Sequence, residues 1–545
     1  GTDRFLRFDE LTAWLQNLAA QHPNLVEIES YGKSHQGRDL WLATITDRST
    51  GPAADKPAHW VDANIHSVEV TAGVAACYLM QHLVDGYVNK DSIVSHALQT
   101  RTFYVVPRVN PDGVEASLAD TPVFQRSSVR PWPWGDYKCP GIHESDVDGN
   151  GEILMMRVRD DTGGAWVEHP EDARVMIPVD HEDSPVQKGD YTTPRYRILK
   201  EGTIDNYDGW TIPQPANYTG LDLNRNFPAG WSKDIKGSGD HALSEVEINS
   251  LVKAIAARPN VCGYNAYHTN GGILLRPSSV RPDSAMSAVD VWTFKEIGKK
   301  YTELTGNSVY SCYEDFTFDK TSDCMSGAAD DFMYEHYGVF SWTTEFWDVV
   351  HAATGHHADT KLWYLGNTVE ESLAIARWAS TNAPELFQGW TPFEHPQLGP
   401  VEIGGPNEFK LFTNPPPSFI KNEVAPHAQF AVHQALLSPK LEILHHSVEK
   451  LDMSSAWRIK IGVSNTGFLP TNVTEMATKI KAVLPVTVEI KAISSPDGDA
   501  LVSDVNMLDG HSPDRALVGQ LTGRQSMRVN WSGSDGTTDR ALCVW

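Results

Sequence analysis

The chain has 545 residues, of which 41% are hydrophobic and 21% are charged, and these values are ordinary for a globular protein. Its length exceeds the size at which a single hydrophobic core stops growing, so we expect one large domain and one accessory domain. The net charge is -25, with 70 Asp and Glu against 45 Lys and Arg, which argues against binding to nucleic acids or to anionic membrane surfaces. No apolar run reaches the roughly 18 residues of a membrane span, so we expect no transmembrane helix.

Predicted helices and strands alternate over the first 385 residues. The strands are apolar runs rich in β-branched and aromatic residues, namely LVEIESYG from Leu25, DLWLATITD from Asp39, AHWVDANIH from Ala58, TFYVVPRVN from Thr102, VCGYNAYH from Val261 and GVFSWTTEF from Gly338. The helices are a short amphipathic one after Asp9, an alanine-rich one over 70–84, and two more from Ser244 and over 285–304. This alternation is typical of an α/β domain with a mixed central sheet flanked by helices.

Two stretches interrupt the alternation. Residues from about 115 to 220 are rich in Pro, Gly, Asp and Trp, and they predict a long insertion in the main domain. Residues 386–430 carry dense proline and glycine with little helical period, and beyond them apolar and polar residues alternate in short runs. We therefore predict a main domain over 1–385, a connecting region over 386–430 and a small all-β sandwich over 431–545.

The most informative motif is NIHSVEV, in which His66 ends a predicted strand and Glu69 begins the helix that follows. A corner between strand and helix can turn both side chains toward one point, and imidazole with carboxylate suits Zn²⁺. By itself the motif leaves a second interpretation open, a surface histidine beside a glutamate that is favoured by the helix dipole. The six cysteines form no CxxC pair, so a cysteine zinc site is not expected.

Further motifs follow in a characteristic order. They are YGKSHQGRDLW from Tyr31, PRVNPDG from Pro107, GLDLNRNFPAGW from Gly220, YHTNGG around His268 and GAADDFMYEHYGVFSWTTEF ending at Phe346. Together with NIHSVEV they resemble the zinc carboxypeptidases of the carboxypeptidase A type, the funnelin-like metallocarboxypeptidases, in a bacterial-style long form with a C-terminal β domain. The resemblance covers most of residues 1 to about 385.

The resemblance implies a zinc site with one Zn²⁺ per chain. His66, Glu69 and His268 are implied as the three ligands, which leaves a fourth position for water, as a catalytic zinc requires. Asp222 is implied as the carboxylate that accepts a hydrogen bond from the first ligand histidine and orients it. Glu345 is implied as the general base that takes a proton from the attacking water and returns it to the leaving amine.

The resemblance also implies substrate-binding groups. Asn224 and Arg225 match the pair that grips the terminal carboxylate of the substrate, and a guanidinium offers a planar fork for such a group. A further arginine is expected to polarise the scissile carbonyl. Our candidate is Arg157, which follows an apolar run in ILMMRVRD, while Arg126, Arg130 and Arg159 in the same inserted region could also take this role.

Three positions depart from the family pattern or vary within it. Val68 stands where the family often has arginine, so peptide binding beyond the terminal pair of residues is expected to differ. The mobile tyrosine of the family would fall at Asp323, and Tyr310 or Tyr313 could replace it from a displaced loop. Asp330 aligns with the base of the specificity pocket, where a carboxylate would favour C-terminal Lys or Arg; the alternative is that Asp330 faces solvent.

A calcium loop is a second metal hypothesis. In DVDGNGEI, Asp146, Asp148, Asn150 and Gly151 have the spacing of the first half of such a loop. The twelfth position, where a bidentate glutamate is expected, is Arg157 instead. A polar turn that leads into the next strand explains the same residues.

These observations predict a metallocarboxypeptidase that hydrolyses the C-terminal peptide bond of peptides or proteins, with Glu345 as general base. One alternative is a cell-wall (muropeptide) peptidase of the same chemistry, and another is a non-catalytic binding protein on a peptidase fold. The expected partners are peptide or protein C-termini, without nucleic acid. We expect a secreted or periplasmic location, with a cytoplasmic one as the alternative.

Overall fold

The computed structural model describes residues 4–120, 122–132, 141–186, 190, 192–212, 220–317, 325–357, 366–452, 457–489, 515–522 and 540–544. The helices are α1 (Phe8–Gln21), α2 (Val70–Val88), α3 (Ser92–Thr100), α4 (Pro111–Ser117), α5 (Val246–Ala256), α6 (Ala288–Thr305), α7 (Ala329–Phe332), α8 (Val349–Thr354), α9 (Val369–Asn382), α10 (Pro417–Leu437) and α11 (Glu475–Lys479). Among these helices, none combines the length and the apolar character needed to cross a lipid bilayer.

The strands fall into a first series up to the middle of the chain and a second series beyond it. The first series is β1 (Val26–Lys33), β2 (Asp39–Ile45), β3 (Ala58–Ala63), β4 (Thr102–Val106), β5 (Gly141–Glu144), β6 (Met155–Arg159), β7 (Trp166–Glu168), β8 (Met176–Pro178), β9 (Tyr196–Lys200) and β10 (Gly202–Asp205). The second series is β11 (Val261–Thr269), β12 (Ile273–Arg276), β13 (Ser308–Ser311), β14 (Phe340–Phe346), β15 (Phe387–His395), β16 (Gly399–Pro406), β17 (Leu441–Lys450), β18 (Trp457–Asn465), β19 (Val486–Glu489), β20 (Arg515–Gly519) and β21 (Arg540–Val544).

The main sheet is mixed. Within the described ranges it has eight strands in the order β1-β2-β4-β3-β11-β14-β12-β13. The central strands β4, β3, β11 and β14 run parallel, whereas β1, β2 and β12 introduce antiparallel pairs. The predicted α/β class with a central mixed sheet is therefore confirmed.

Apolar residues cover both faces of this sheet. On β3, Val61 and Ala63 point into a core formed with α1, α2, α3 and α10, and Trp60 points into a second core on the other face. All residues of β3 are buried, as expected for a parallel strand that carries helices on both sides. Each large side chain buried in this way contributes roughly 1.5–3 kcal/mol.

Three neighbouring strands of the sheet deliver the predicted site residues to one edge. His66 follows the end of β3, His268 lies near the end of β11, and Glu345 lies near the end of β14. His268 and Glu345 are paired in register. Functional groups commonly gather beyond the carboxyl ends of parallel strands in such sheets.

A second sheet combines two distant parts of the chain. Its order is β15-β16-β6-β9-β7-β8, so strands from the predicted insertion pair with the hairpin of β15 and β16. The prediction that 386–430 only connects two domains is therefore wrong. Proline and glycine in this stretch occur within and around a β-hairpin, and the following helix α10 packs against α2 and α6 of the main domain.

The C-terminal part of the chain is a small β region, as predicted. β17, β18 and β21 form one sheet and β19 pairs with β20. The region begins at β17 rather than at 431, because α10 extends to Leu437. It also contains helix α11, whose first turn contacts the main domain: Asp290 accepts hydrogen bonds from Glu475 N at 2.9 Å and from Met476 N at 3.1 Å.

A buried histidine on β3 makes stability sensitive to acid. His59 is 1% exposed, and within the described residues neither ring nitrogen has a hydrogen-bond partner. Burial lowers the pKa of His59 from 6.5 to about 3. The unfolded chain therefore binds a proton that the folded chain does not bind, and stability present above pH 6.5 is lost as the pH falls toward 3.

We expect the substitution His59→Leu to remove this acid sensitivity. Between pH 7 and pH 4.5, the free energy of unfolding of the native protein should fall by roughly 3 kcal/mol more than that of the variant. Denaturant titrations of both proteins at the two pH values measure the difference. An equal fall in both proteins would contradict the assignment.

Candidate active site

The corner between β3 and α2 carries two of the predicted zinc ligands. After β3 ends, Asn64 adopts a left-handed conformation with φ of 55° and donates a hydrogen bond from Nδ2 to Glu69 O at 2.5 Å. Ser67 N donates to Arg126 O at 2.7 Å, which ties the corner to the loop around Arg126. The turn places His66 and Glu69 on the same side of the chain.

Three buried side chains converge at this corner. One potential ligand atom each from His66, Glu69 and His268 lies within 4.8 Å of the other two. Glu69 Oε1 is 2.7 Å from His66 Nδ1, and Glu69 Oε2 is 3.0 Å from His268 Nδ1. The two Nδ1 atoms are 3.2 Å apart.

This donor set fits zinc. A tetrahedral ion with Zn–N bonds of 2.0–2.1 Å would separate two ligand nitrogens by about 3.3 Å. Zinc is a borderline-soft ion that accepts both imidazole nitrogens and carboxylate oxygens, and three protein ligands leave one position open. Two imidazole nitrogens that face each other at 3.2 Å are stabilised when both bind the same cation.

A second carboxylate orients the first histidine. His66 Nε2 lies 3.0 Å from Asp222 Oδ1, so that Nδ1 is the nitrogen that faces the corner. Burial alone would raise the pKa of Asp222, but the charges of His66 and Arg126 hold it well below its usual range. Burial would likewise raise the pKa of Glu69, and the charges of His66 and His268 hold it below its usual value. Both carboxylates are therefore ionised at neutral pH.

A cavity of about 270 Å³ opens at the corner and contains Glu345. Glu345 Oε2 is buried and has no hydrogen-bond partner within the part of the chain that the structure describes. Burial raises the pKa of Glu345 to about 8, against the lowering effect of the His268 charge. A carboxyl group whose pKa lies near neutral pH, with an oxygen that has no partner, can exchange a proton with a neighbouring water.

Asn224 and Arg225 line the same cavity. They lie in a single 3₁₀ turn, whose start is capped by Asp222 through a hydrogen bond from Asn224 N at 2.9 Å. Asn224 Oδ1 accepts a hydrogen bond from Ala329 N at 3.0 Å. Gly327 is required nearby, because a Cβ atom there would lie 2.4 Å from Arg225 O.

Arg157, our candidate for polarising the carbonyl, is not in this cavity. It lies on β6 of the second sheet and forms ion pairs with Glu402 at 2.7 Å and with Glu168 at 2.8 Å. Its guanidinium carbon is 4.3 Å from the ring centroid of Tyr196 and 4.8 Å from that of Trp390. The structure corrects this prediction, because a buried guanidinium between two rings and two carboxylates has a packing role.

Arg126 is the arginine that faces the corner. Its guanidinium lies 3.8 Å from Glu69 Oε1 and 3.4 Å from Asp222 Oδ2, and it lines the cavity. The two remaining arginine candidates are engaged elsewhere, since Arg130 pairs with Glu245 and Arg159 pairs with Asp161. The hydrogen bond from Ser67 N to Arg126 O holds this loop at the site. No pattern in the sequence predicts that hydrogen bond.

Asp330 lies inside the cavity and not at the surface. It is 3% exposed and lines the wall together with Cys312, whose Sγ is 3.8 Å from Asp330 Oδ2. Burial raises the pKa of Asp330 above its ordinary value, although hydrogen bonds from backbone N–H groups oppose this. Within the described ranges, no lysine or arginine forms an ion pair with Asp330.

The positions that depart from the family pattern have mixed outcomes. Asp323, at the position expected for the mobile tyrosine, lies outside the described residues. Tyr310 is on β13 and packs against the cluster of Ile273, Leu275 and Cys312, and no tyrosine is among the described residues that line the cavity. Val68 is 3% exposed, so its side chain cannot contact a substrate in the way that an arginine at this position would.

The predicted calcium loop is a polar turn. Asp146 and Asp148 accept hydrogen bonds from the backbone of their own loop, such as Gly149 N to Asp146 Oδ1 at 2.7 Å. Glu201 approaches both of them, but its oxygens already accept Val147 N and Leu154 N. The calcium hypothesis therefore finds no support here.

A comparison with protein families gives a match over more than half of the chain. The family model described as "Zinc carboxypeptidase" matches residues 11–142 and 201–360, so the gap falls on β6 to β9 of the second sheet. A domain of unknown function matches residues 440–539, which begin with the small β region.

Curated relatives are similar over shorter stretches. A zinc carboxypeptidase of Saccharothrix mutabilis subsp. capreolus is 34% identical over 121 residues, which are 22% of this chain and 27% of the relative. Carboxypeptidase B of Astacus astacus is 32% identical over 120 residues, 22% of this chain and 37% of the relative. The matched segment thus spans well under half of the length of these relatives.

Solved structures show more distant similarity. Carboxypeptidase A from Helicoverpa armigera superimposes with a TM-score of 0.41 and 18% identity, over 70% of this chain and 76% of that one. The family assignment depends on the match over residues 11–142 and 201–360. On that match, the chain belongs to the zinc carboxypeptidase family.

Proposed function

We propose that the protein is a zinc-dependent metallocarboxypeptidase that hydrolyses the C-terminal peptide bond of peptides or proteins. One observation carries the proposal: the convergence of His66, Glu69, His268 and Glu345 on one cavity that Asn224 and Arg225 also line. The reaction needs a metal site, a proton acceptor and a group that binds the terminal carboxylate, and candidates for all three lie at one cavity. We call the site formed by His66, Glu69 and His268 the metal corner.

His66, Glu69 and His268 would hold the zinc ion. When bound, zinc supplies a Lewis acid that polarises a carbonyl and acidifies water. Asp222 keeps the His66 ring in the tautomer and orientation that a ligand needs. The unpartnered Oε2 of Glu345 is left for contacts that form only in the loaded site.

Glu345 takes the proton of the attacking water and returns it to the amine of the leaving residue. Its buried Oε2 has no hydrogen-bond partner among the described residues, so this oxygen is available to receive the proton. Arg126 replaces Arg157 as the group that donates hydrogen bonds to the developing negative charge on the carbonyl oxygen. Its position between Glu69 and Asp222 places the guanidinium at the edge of the metal corner.

Asn224 and Arg225 bind the terminal carboxylate and so restrict cleavage to chain ends. A guanidinium and an amide at the cavity wall offer N–H donors to a planar carboxylate. A substrate without that free carboxylate would leave Arg225 unpaired and would lose this binding free energy.

Zinc content tests the metal part of the proposal. We expect about one zinc per chain in the native protein, and His268→Ala should weaken zinc binding by more than about 100-fold, since outer partners of ligands alone contribute 10–100-fold. Metal analysis after dialysis and a chelator competition assay measure both. A native protein without affinity for added zinc would favour the non-catalytic binding protein.

Digestion of a peptide library, read by mass with and without a chelator, tests the reaction. We expect loss of single residues from the C-terminus by the native protein and a fall of about 10²–10⁴-fold in kcat for Glu345→Gln, because general base catalysis has this magnitude. The variant should keep its zinc, since Glu345 is not a ligand.

Amidated peptides serve as the matched control, and they should resist cleavage. Internal cleavage, or equal hydrolysis of amidated peptides, would contradict the exopeptidase assignment. Release from muropeptides alone would favour the cell-wall peptidase.

From the position of Asp330 in the cavity, we expect a preference for substrates that end in Lys or Arg. A carboxylate at the cavity wall without a basic partner among the described residues would pair with an incoming cation. For peptides ending in Lys, Asp330→Asn should lower kcat/KM by roughly 30-fold, because removing one member of a buried ion pair costs about 2 kcal/mol or more.

The same substitution should leave peptides that end in Phe nearly unaffected. Kinetics on matched peptides ending in Lys, Phe and Glu measure the preference. A clear preference of the native protein for Phe would remove the hypothesis.

A further inference from the structure

The first turn of α2 lacks the cap that its own sequence would provide. Glu69 is the N-cap residue of α2, but its side chain makes no capping hydrogen bond. Its carboxylate instead faces His66 and His268 and accepts a hydrogen bond from Thr269 N at 3.2 Å. The open N–H groups at the start of a helix need another acceptor.

Asn414 provides that acceptor from a distant part of the chain. Its Oδ1 accepts hydrogen bonds from Thr71 N and from Thr71 Oγ1, both at 2.9 Å. Its Nδ2 donates to Val68 O at 2.8 Å and to Phe409 O at 2.9 Å. The amide of Asn414 therefore holds the chain on both sides of Glu69, and the residue is fully buried.

The segment that carries Asn414 also contacts the strand of the predicted base. We call residues 407–423 the brace segment. Trp347, two residues after Glu345, donates from Nε1 to Leu411 O at 2.7 Å and from N to Glu423 Oε1 at 2.8 Å. The brace segment is thus in contact with both sides of the candidate site, and it lies beyond the residues that match the family model.

The brace segment is itself held by β9 of the second sheet and by the turn that precedes β6. Lys410 forms an ion pair with Glu152, and Asn407 Nδ2 donates to Glu152 Oε2 at 2.7 Å. Glu408 at the start of its helical turn pairs with Lys200 of β9. The position of Asn414 therefore depends on a part of the molecule outside the main sheet.

We propose that Asn414 is a positioning residue for the zinc ligand Glu69: by capping α2 and holding Val68, it fixes the backbone from which the Glu69 carboxylate reaches the metal. The inference rests on the proposed zinc site. It adds that part of the affinity for zinc originates in the brace segment, about 345 residues along the chain from the ligand.

Zinc affinity tests the role without any substrate. We expect Asn414→Leu to raise the dissociation constant for zinc about tenfold, the lower end of the effect of outer partners of ligands. Asn414→Asp keeps an oxygen for Thr71 but loses the donor to Val68 and Phe409, so its dissociation constant should lie between those of the native protein and Asn414→Leu. Competition with a chromophoric chelator measures all three.

Asn465→Leu is the matched control. Asn465 is 1% exposed and also bridges backbone groups, donating to Leu469 O at 2.8 Å and accepting from Lys440 N at 3.0 Å, but it lies in the small β region. It should lower thermal stability with an unchanged zinc dissociation constant. A purely structural role of Asn414 would give that same result, and equal dissociation constants for Asn414→Leu and the native protein would overturn the inference. Failure of the native protein to bind zinc would instead refute the proposed function.

Discussion

The parallel pairing of β11 with β3 and with β14 is the constraint on which the candidate site depends. Neighbouring strands are about 4.8 Å apart, so groups at their carboxyl ends come within bonding distance however far apart they are in the chain. The register places His268 opposite Glu345, and the corner after β3 brings His66 and Glu69 to the same edge. A slip of one residue would turn each side chain to the other face, and the close packing of the side chains in both cores opposes such a slip.

The charges at this edge compensate one another. Glu69 and Asp222 are buried and ionised because His66, His268 and Arg126 lie next to them. A buried charge without a partner is costly, so these groups are stable only as a set. Glu345 and Asp330 differ from this set, since burial raises the pKa of both and neither pairs with a lysine or arginine among the described residues. Acidic groups that lack a paired cation at a cavity mark a place where a reacting group or a substrate can bind.

Segments outside the family model support the site. The second sheet joins an insertion to the hairpin of β15 and β16, and Arg157 helps to hold it together between two rings and two carboxylates. This sheet anchors the brace segment, which in turn contacts both the Glu69 corner and the end of β14. The additions to the family fold are therefore connected to the metal corner by continuous hydrogen bonds and ion pairs, and the brace segment is part of the structural support of the site.

The sequence by itself determined the alternation of strands and helices, the corner carrying His66 and Glu69, and, through the family motifs, the positions of His268, Asn224, Arg225 and Glu345. These depend on periodicity and on short spacings, which are local properties of a chain. Only the tertiary structure decided that Arg126 and not Arg157 faces the cavity, that residues 387–406 complete a sheet with β6, and that Asn414 caps α2. Each of these depends on which distant backbone edges meet. Several arginines in the inserted region were equally good candidates for one role. Contacts between distant backbone segments do not produce a periodic pattern in the residues that form them, so the sequence could not distinguish these arginines.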